Sequence, residues 1–284
     1  MVDYVPFDDR PFRLRMGLRP LDLAQWLEPD EHRDAELELK ARLVRERHDD
    51  VVSVVDRPEV HAAATELLAL LAAAQGEVAG PESLHPIARC GMSTQEDWCL
   101  LVPVDGELVL AAACVCFPTR WVLATKIGLP MGGVHEHVAF YADHLGRTVD
   151  GFFDRLTVER PVWRLNWNLM DDDALFQPVR LGPPGGGVTA ENAGDRLWLR
   201  VERQTLRRLP GTGAIAFGIR VHQRPLAAVA HEPGVLDTLR SAVAALPPET
   251  AEYKGLRGIT DAIEAWIDRQ NSRSTFDSIP RSSS

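Results

Sequence analysis

Two short stretches constrain the fold of this chain more than any other feature. In the first, the apolar run Trp98-Cys-Leu-Leu-Val-Pro-Val104 meets the dipeptide Asp105-Gly106, and a second run, Glu107-Leu-Val-Leu-Ala111, follows. Asp-Gly tolerates positive φ at both positions, and a two-residue connection of that kind joins neighbouring antiparallel strands. The second stretch repeats the arrangement, with Leu197–Leu206 and Gly213–Val221 on either side of Pro210-Gly211. Hairpins in the middle of a chain argue against a doubly wound parallel sheet, whose strands need helical crossovers between them. Val162–Asn168 alternates apolar and polar residues and reads as a further strand.

Helical patterns gather at the two ends. Residues 21–76 read as helical, beginning at Leu21–Leu27 and continuing through Ala35–Lys40. They end in the Ala/Leu-rich stretch Val60–Ala74, which follows the pre-proline residue Arg57. Residues 136–156 place Val138, Tyr141, Leu145, Val149, Phe152 and Phe153 along one stripe. Residues 233–246 and 258–270 also read as helices. The acidic run around Glu28–Glu38 is expected to be a solvated face. No internal repeat is present, and Gly182-Pro-Pro-Gly-Gly-Gly187 lacks both the GK[ST] ending and the GxGxxG spacing of phosphate loops. The expectation is an α+β domain over residues 1–271. It has an N-terminal helical part (21–76), a sheet core (87–221) with at least four antiparallel strands within 95–221, and C-terminal helices (233–270). A serine-rich tail, 272–284, is expected to be disordered.

Charge narrows the function classes. The net charge is −10, which argues against non-specific binding to nucleic acid or to anionic membrane, since both need surplus Lys and Arg. The longest clean apolar run, Leu108–Phe117, is about half the length that spans a bilayer. The opening residues carry Asp, Arg and Pro where the apolar part of a secretory signal would stand, so a cytoplasmic location is expected. Cys90, Cys99, Cys114 and Cys116 include no CxxC pair. Cys114 and Cys116, two apart in a strand, share a face and read as small buried hydrophobes, with a thiolate ligand as the alternative.

Chemistry-bearing residues concentrate between Cys114 and Leu209. If Arg200–Pro210 opens as a strand, Arg200, Glu202, Gln204 and Leu206 point one way while Val201, Arg203 and Thr205 point the other. Charge on both faces leaves two readings. Either one face is wet, or the buried charges serve a partner or ligand. Arg164 and Asn166 alternate with Trp163, Leu165 and Trp167, which is either an amphipathic strand or a ligand pocket with Trp walls. His135, His137 and His144 are either structural histidines or metal ligands, without the HExxH spacing.

Several of these segments, taken in order, resemble a known family. They are Val115-Cys-Phe-Pro-Thr-Arg-Trp121, Lys126-Ile-Gly128, Val134-His135, Val149-Asp-Gly-Phe-Phe153, Arg164-Leu-Asn-Trp167 and Arg200-Val-Glu-Arg-Gln-Thr-Leu-Arg-Arg-Leu-Pro210. With Met16-Gly-Leu-Arg-Pro-Leu-Asp22, Trp26 and Gln95-Glu-Asp-Trp98, they are similar to the haem-dependent oxidative N-demethylase family, alpha subunit, over roughly residues 10–245. The resemblance implies a PAS-like antiparallel sheet with helices around it and haem b as cofactor. The implied reaction is monooxygenase removal of a methyl group from a small methylated amine such as dimethylamine. Dioxygen is consumed, formaldehyde is released, and electrons come from a separate flavin and iron–sulfur reductase subunit. The family carries a Pro shortly after its His. Here Glu136-His137-Val138-Ala139 follows Val134-His135, so His135, His137 and Cys116 all stay open as the iron ligand.

The residue types suit that cofactor. Haem needs an axial ligand, an apolar slot and cations for two propionates. His135 can supply the ligand, and Phe117, Trp121, Trp163, Trp167 and Leu206 the slot. Arg120, Arg164, Arg200 and Arg203 are the candidate propionate partners. Glu202 is the candidate anion for a protonated amine, with Gln204 beside it as the second catalytic candidate. The alternative function is a PAS-like haem or small-ligand sensor without turnover; a third reading is a member that keeps the fold and has lost haem.

Overall fold

The computed structural model describes residues 4–7, 16–134, 146–183, 185–232, 234–256 and 258–277. His135, His137 and His144 lie outside these residues, as do Val138, Tyr141 and Leu145.

Seven strands form one sheet: β1 (Arg19–Pro20), β2 (Val52–Val54), β3 (Asp97–Val104), β4 (Glu107–Cys114), β5 (Val162–Met170), β6 (Trp198–Arg208) and β7 (Ile215–Pro225). Their order is β1-β5-β6-β7-β3-β4-β2, and each neighbouring pair is antiparallel. The β3–β4 hairpin turns at Asp105 (φ 51°) and Gly106 (φ 90°), the positive-φ pair that the Asp-Gly dipeptide predicts. The second hairpin pairs β6 and β7 along their whole length, from Trp198↔Pro225 to Arg208↔Ile215. Both hairpins and the third strand thus form where local alternation placed them.

Helices cover this sheet at both ends. Arg33–Glu46, Pro58–Gln75 and Pro86–Ser93 belong to the larger apolar cluster, where Val60, Leu67, Leu71, Ile87, Trp98 and Leu100 are sealed from solvent. The long Pro58 helix starts at a proline that suits a first helical position. Arg57 before it is extended (φ −145°, ψ 143°), as the pre-proline clash requires. Val235–Ala244 and Thr260–Asp277 pack a second cluster with Leu169, Leu199 and Val201 of the sheet, around Leu239, Ile263, Trp266 and Ile267. Helix Gly146–Arg155 is the described part of the expected 136–156 helix. Among the described residues, no helix is long and apolar enough to cross a membrane.

Three local expectations are corrected. Residues 21–76 are not helical throughout. Leu23–Gln25 is a single 3-10 turn capped by the Asp22 side chain, and Val52–Val54 is an edge strand on β4. The second change follows from the run Val51-Val-Ser-Val-Val55, whose β-branched side chains favour extended backbone. The acidic run at 28–38 is a solvated face only in part: Glu31, Asp34 and Glu38 are exposed, but Glu28, Asp30 and Glu36 turn toward the sheet. At the C-terminus the last helix runs on through Asp277.

Candidate functional site

Strand β6 lies in the interior of the sheet, between β5 and β7, and Arg200, Glu202 and Arg203 are all buried in it. Burying charge this densely is costly unless each group is partnered. The two faces of the strand solve the problem differently.

On the odd face, Arg203 sits directly opposite Arg220 of β7. Like charges at a cross-strand pair repel, and the strap of residues 25–36 supplies the carboxylates that neutralise them. Arg203 Nε lies 3.4 Å from Glu28, and Arg203 Nη2 donates to the Gln25 carbonyl at 2.6 Å. Arg220 lies 2.8 Å from Asp30 and 3.0 Å from Glu36. His222 Nε2 is 3.3 Å from Glu28, Tyr4 donates to Glu28 at 2.8 Å, and Gln95 donates to both Asp30 and Glu36. Burial alone would raise the Glu28 carboxyl, but the hydrogen bonds from His222 and Tyr4 and the charges of His222 and Arg203 hold it below its ordinary range. Arg203 also lies over the Trp163 ring, 5.3 Å from its centroid. Glu28, Asp30 and Glu36 of the acidic run therefore close an ion network, while Glu31, Asp34 and Glu38 stay exposed.

On the even face, Glu202 faces Asn166 of β5, and Gln204 faces Arg164. Glu202 is a fixed carboxylate. Thr119 donates to one oxygen at 2.5 Å, while Gln204 at 2.7 Å and Asn166 at 3.2 Å donate to the other. Arg200 is fully buried and positions the loop that brings Thr119 there. Its guanidinium donates to Thr119 Oγ1 at 3.1 Å, to the Phe117 carbonyl at 2.8 Å, to the Leu175 carbonyl at 3.0 Å and to Gln223 at 3.0 Å. Burial pushes this arginine down to about 10, against the opposing charges of Glu202 and Asp97. The start of the same loop is pinned by Asp97, which accepts from the Cys116 and Phe117 backbone N–H groups and pairs with the buried Lys40 at 2.9 Å.

Beyond Thr119 the backbone is strained. Arg120 adopts φ 58°, a left-handed conformation that costs a non-glycine residue about 1 kcal/mol. It is held by its own N–H on the Gln177 carbonyl at 2.7 Å and by an ion pair with Asp171, which also pairs with Arg180 at 2.6 Å. Burial opposes ionisation of Asp171, yet the hydrogen bond and charge of Arg120 keep its carboxyl below the ordinary range. Lys254 reaches the same region from the turn after helix Pro248–Tyr253. Its ammonium donates to the Trp167 carbonyl and lies 4.9 Å from the centroid of the Trp167 ring. Burial brings Lys254 down to about 8; Glu202 opposes this shift and Arg164 adds to it.

The structure thus gathers Arg120, Arg164, Arg200, Glu202 and Gln204 from the sequence candidates into one region. Arg203 lies on the other face, committed to Glu28. The Trp163 and Trp167 side chains also lie on that other face, and Trp167 packs edge-on against Phe7 with ring centroids 5.2 Å apart. Phe117, Leu206 and Trp121 belong to the larger apolar cluster. Cys116 is fully buried with its sulfur 3.9 Å from that of Cys114, and this neighbour together with burial raises its thiol well above the usual range. His135 lies outside the described residues, immediately after Val134, which packs on the larger cluster. Sequence reasoning missed Thr119, Asp171, Arg180 and Lys254. Thr119 stands inside a segment already singled out, whereas Lys254 has no periodic or motif signal. Among the described residues of this region, five cations (Arg120, Arg164, Arg180, Arg200, Lys254) face two carboxylates (Asp171, Glu202), in a chain of net charge −10.

Residues 74–264, more than half of the chain, match the sequence profile of a family described as haem-dependent oxidative N-demethylase, alpha subunit-like.

Proposed function

The chain belongs to the haem-dependent oxidative N-demethylase, alpha subunit-like family. From that premise we propose that it is the haem-bearing oxidoreductase subunit of an N-demethylating monooxygenase. Its substrate is a small methylated amine, and a partner flavin and iron–sulfur subunit supplies its electrons. The balanced reaction consumes the methylated amine, dioxygen, two electrons and two protons, and yields the demethylated amine, formaldehyde and water. The seven-stranded sheet with its helices is read as the PAS-like core of the family.

The observation that carries this reading is the pairing of a fixed carboxylate with an unsatisfied cation on one face. Arg164 Nε is sealed from solvent and has no hydrogen-bond partner among the described residues. A buried donor left without a partner costs about 1–3 kcal/mol, so an anionic ligand is its natural complement. A haem propionate is such an anion. Leu206 and Phe217 pair across β6 and β7 on that face, and Met131, Val134, Phe152 and Phe153 belong to the same apolar cluster, as a flat apolar ring requires. Arg200 is withdrawn from the propionate set because its donors are already used, and Arg203 because it faces the strap. Arg164 holds one propionate, Arg120 and Trp121 border the site, and His135 is the proposed iron ligand. Haem, when bound, supplies dioxygen activation and one-electron transfer.

The protein's own part centres on Glu202. Its carboxylate, oriented by Thr119, Asn166 and Gln204, pairs with the ammonium form of the amine. Oxidation at nitrogen or at the adjacent methyl carbon needs the neutral amine, so Glu202 accepts the ammonium proton. Gln204 keeps that carboxylate from turning away.

Protein produced in haem-supplemented cells should show a Soret band that His135→Ala shifts or removes. With a supplied reductant, it should consume oxygen and release formaldehyde when given methylated amines. Glu202→Gln should keep the band and weaken amine binding by about 1–3 kcal/mol, the range for a hydrogen bond to a charged group. A wild-type protein that takes up no haem sinks the proposal. Haem uptake without amine-dependent oxygen consumption favours the sensing alternative.

A further inference from the structure

We infer that Lys254 completes, with Arg164, a clamp for one carboxylate of the cofactor at the rim of β5; this rests on the haem reading above. Strand β1 covers only the start of β5, through Arg19↔Trp163 and Pro20↔Val162, so among the described residues no strand lies against the rest of the outer edge of β5. Lys254 occupies that edge. Its only hydrogen-bond acceptor among the described residues is the Trp167 carbonyl, and its ring contact is the Trp167 indole. A carbonyl and a ring face stabilise an ammonium but do not neutralise it.

The surroundings deepen the deficit. Arg164, the cation of β5, carries the unpartnered Nε described above. Among the described residues Glu202 is the carboxylate that acts on both cations, and its hydrogen bonds come from Thr119, Asn166 and Gln204, not from either of them. The neighbouring carboxylate, Asp171, is held by Arg120, Arg180 and the Gly185 N–H. The turn that delivers Lys254 is itself pressed against these cations. At Gly255 the positive φ of 69° favours glycine, and an added Cβ would stand 2.1 Å from an Arg180 nitrogen, so the turn lies close to the Arg180 guanidinium. Among the described residues, no carboxylate is hydrogen-bonded to the lysine that this turn brings to a cation-rich rim. A carboxylate between Lys254 and Arg164 would supply a counter-charge through charge-assisted hydrogen bonds.

The test is an equilibrium titration of haem-free full-length protein with haemin and with haemin dimethyl ester, followed at the Soret band. Wild type, Lys254→Met, Lys254→Arg and Arg164→Met are compared. The wild type should prefer haemin over the ester by about tenfold or more, as one charge-assisted contact predicts. Lys254→Met keeps the stem over Trp167 and loses the charge, so most of that preference should disappear; Arg164→Met should behave alike, and Lys254→Arg should retain it. Equal wild-type affinity for haemin and ester, or an undiminished preference in Lys254→Met, overturns the clamp while leaving the haem reading intact. A wild type that binds neither compound overturns both.

Discussion

The two faces of β6 and its neighbours carry similar buried charges and have opposite fates. On the odd face two arginines meet carboxylates from the strap, Arg203 with Glu28 and Arg220 with Asp30 and Glu36, while Arg207 lies over the Trp26 ring with its Nε unpartnered among the described residues. For Arg164 on the even face and Lys254 at the edge of β5, no carboxylate partner is found among the described residues, and Glu202 takes its hydrogen bonds from neutral donors. The difference separates structure from site. A buried charge with its partner built in holds two parts of the chain together, whereas one without a partner is stability forgone for a ligand. The matched segment, 74–264, contains every member of the open face and none of the strap carboxylates of the closed one.

The largest effect should come from the closed face. Arg220→Met leaves Asp30 and Glu36 buried without their cation and should cost about 3–5 kcal/mol in urea unfolding. Arg164→Met, on the open face, should cost less than about 1 kcal/mol or stabilise the apoprotein, because it removes an uncompensated charge. Equal losses in the two variants would break the contrast. Lys254→Met should stabilise the apoprotein by about 3 kcal/mol at pH 7, the cost of a shift from 10.5 to about 8. Folded Lys254 sits at about 8 against an ordinary 10.5, so the unfolded chain holds the proton more tightly. The cost of burying the charge is therefore full below pH 8 and fades as the pH rises to 10.5, and the advantage of the methionine variant should shrink over that window in thermal melts. The smallest effect belongs to neither face. Arg269 and Glu191 form an exposed pair at 2.6 Å, and Glu191→Gln should change stability by less than about 0.5 kcal/mol. A larger change there would mean that surface charge, not burial, governs this protein.

Much of the fold was legible because its signals are local. The Asp105-Gly106 turn, the alternation in Val162–Asn168 and the pre-proline start of the Pro58 helix each act over a few residues. The alternation of Arg200, Glu202 and Gln204 against Arg203 was equally plain in the sequence. What each face meets was not, because the partner of Arg203 is Glu28, almost two hundred positions earlier in the chain. A run of acidic residues has the same pattern whether water or arginine neutralises it, so the strap read as a wet surface. Lys254 carries no pattern at all; only the turn at Gly255 and the bare edge of β5 make it part of a site.

By itself the sequence determined the antiparallel sheet, the helical ends, the two-sided charge of β6 and the residues that carry the family resemblance. These follow from period, turn chemistry and residue type, which a linear chain displays directly. The tertiary structure alone decided which buried charges are satisfied. Satisfaction is a matter of distance between segments remote in sequence, and the few ångströms that separate Arg220 from Asp30, or leave Arg164 Nε without a partner among the described residues, exist only after the chain has folded.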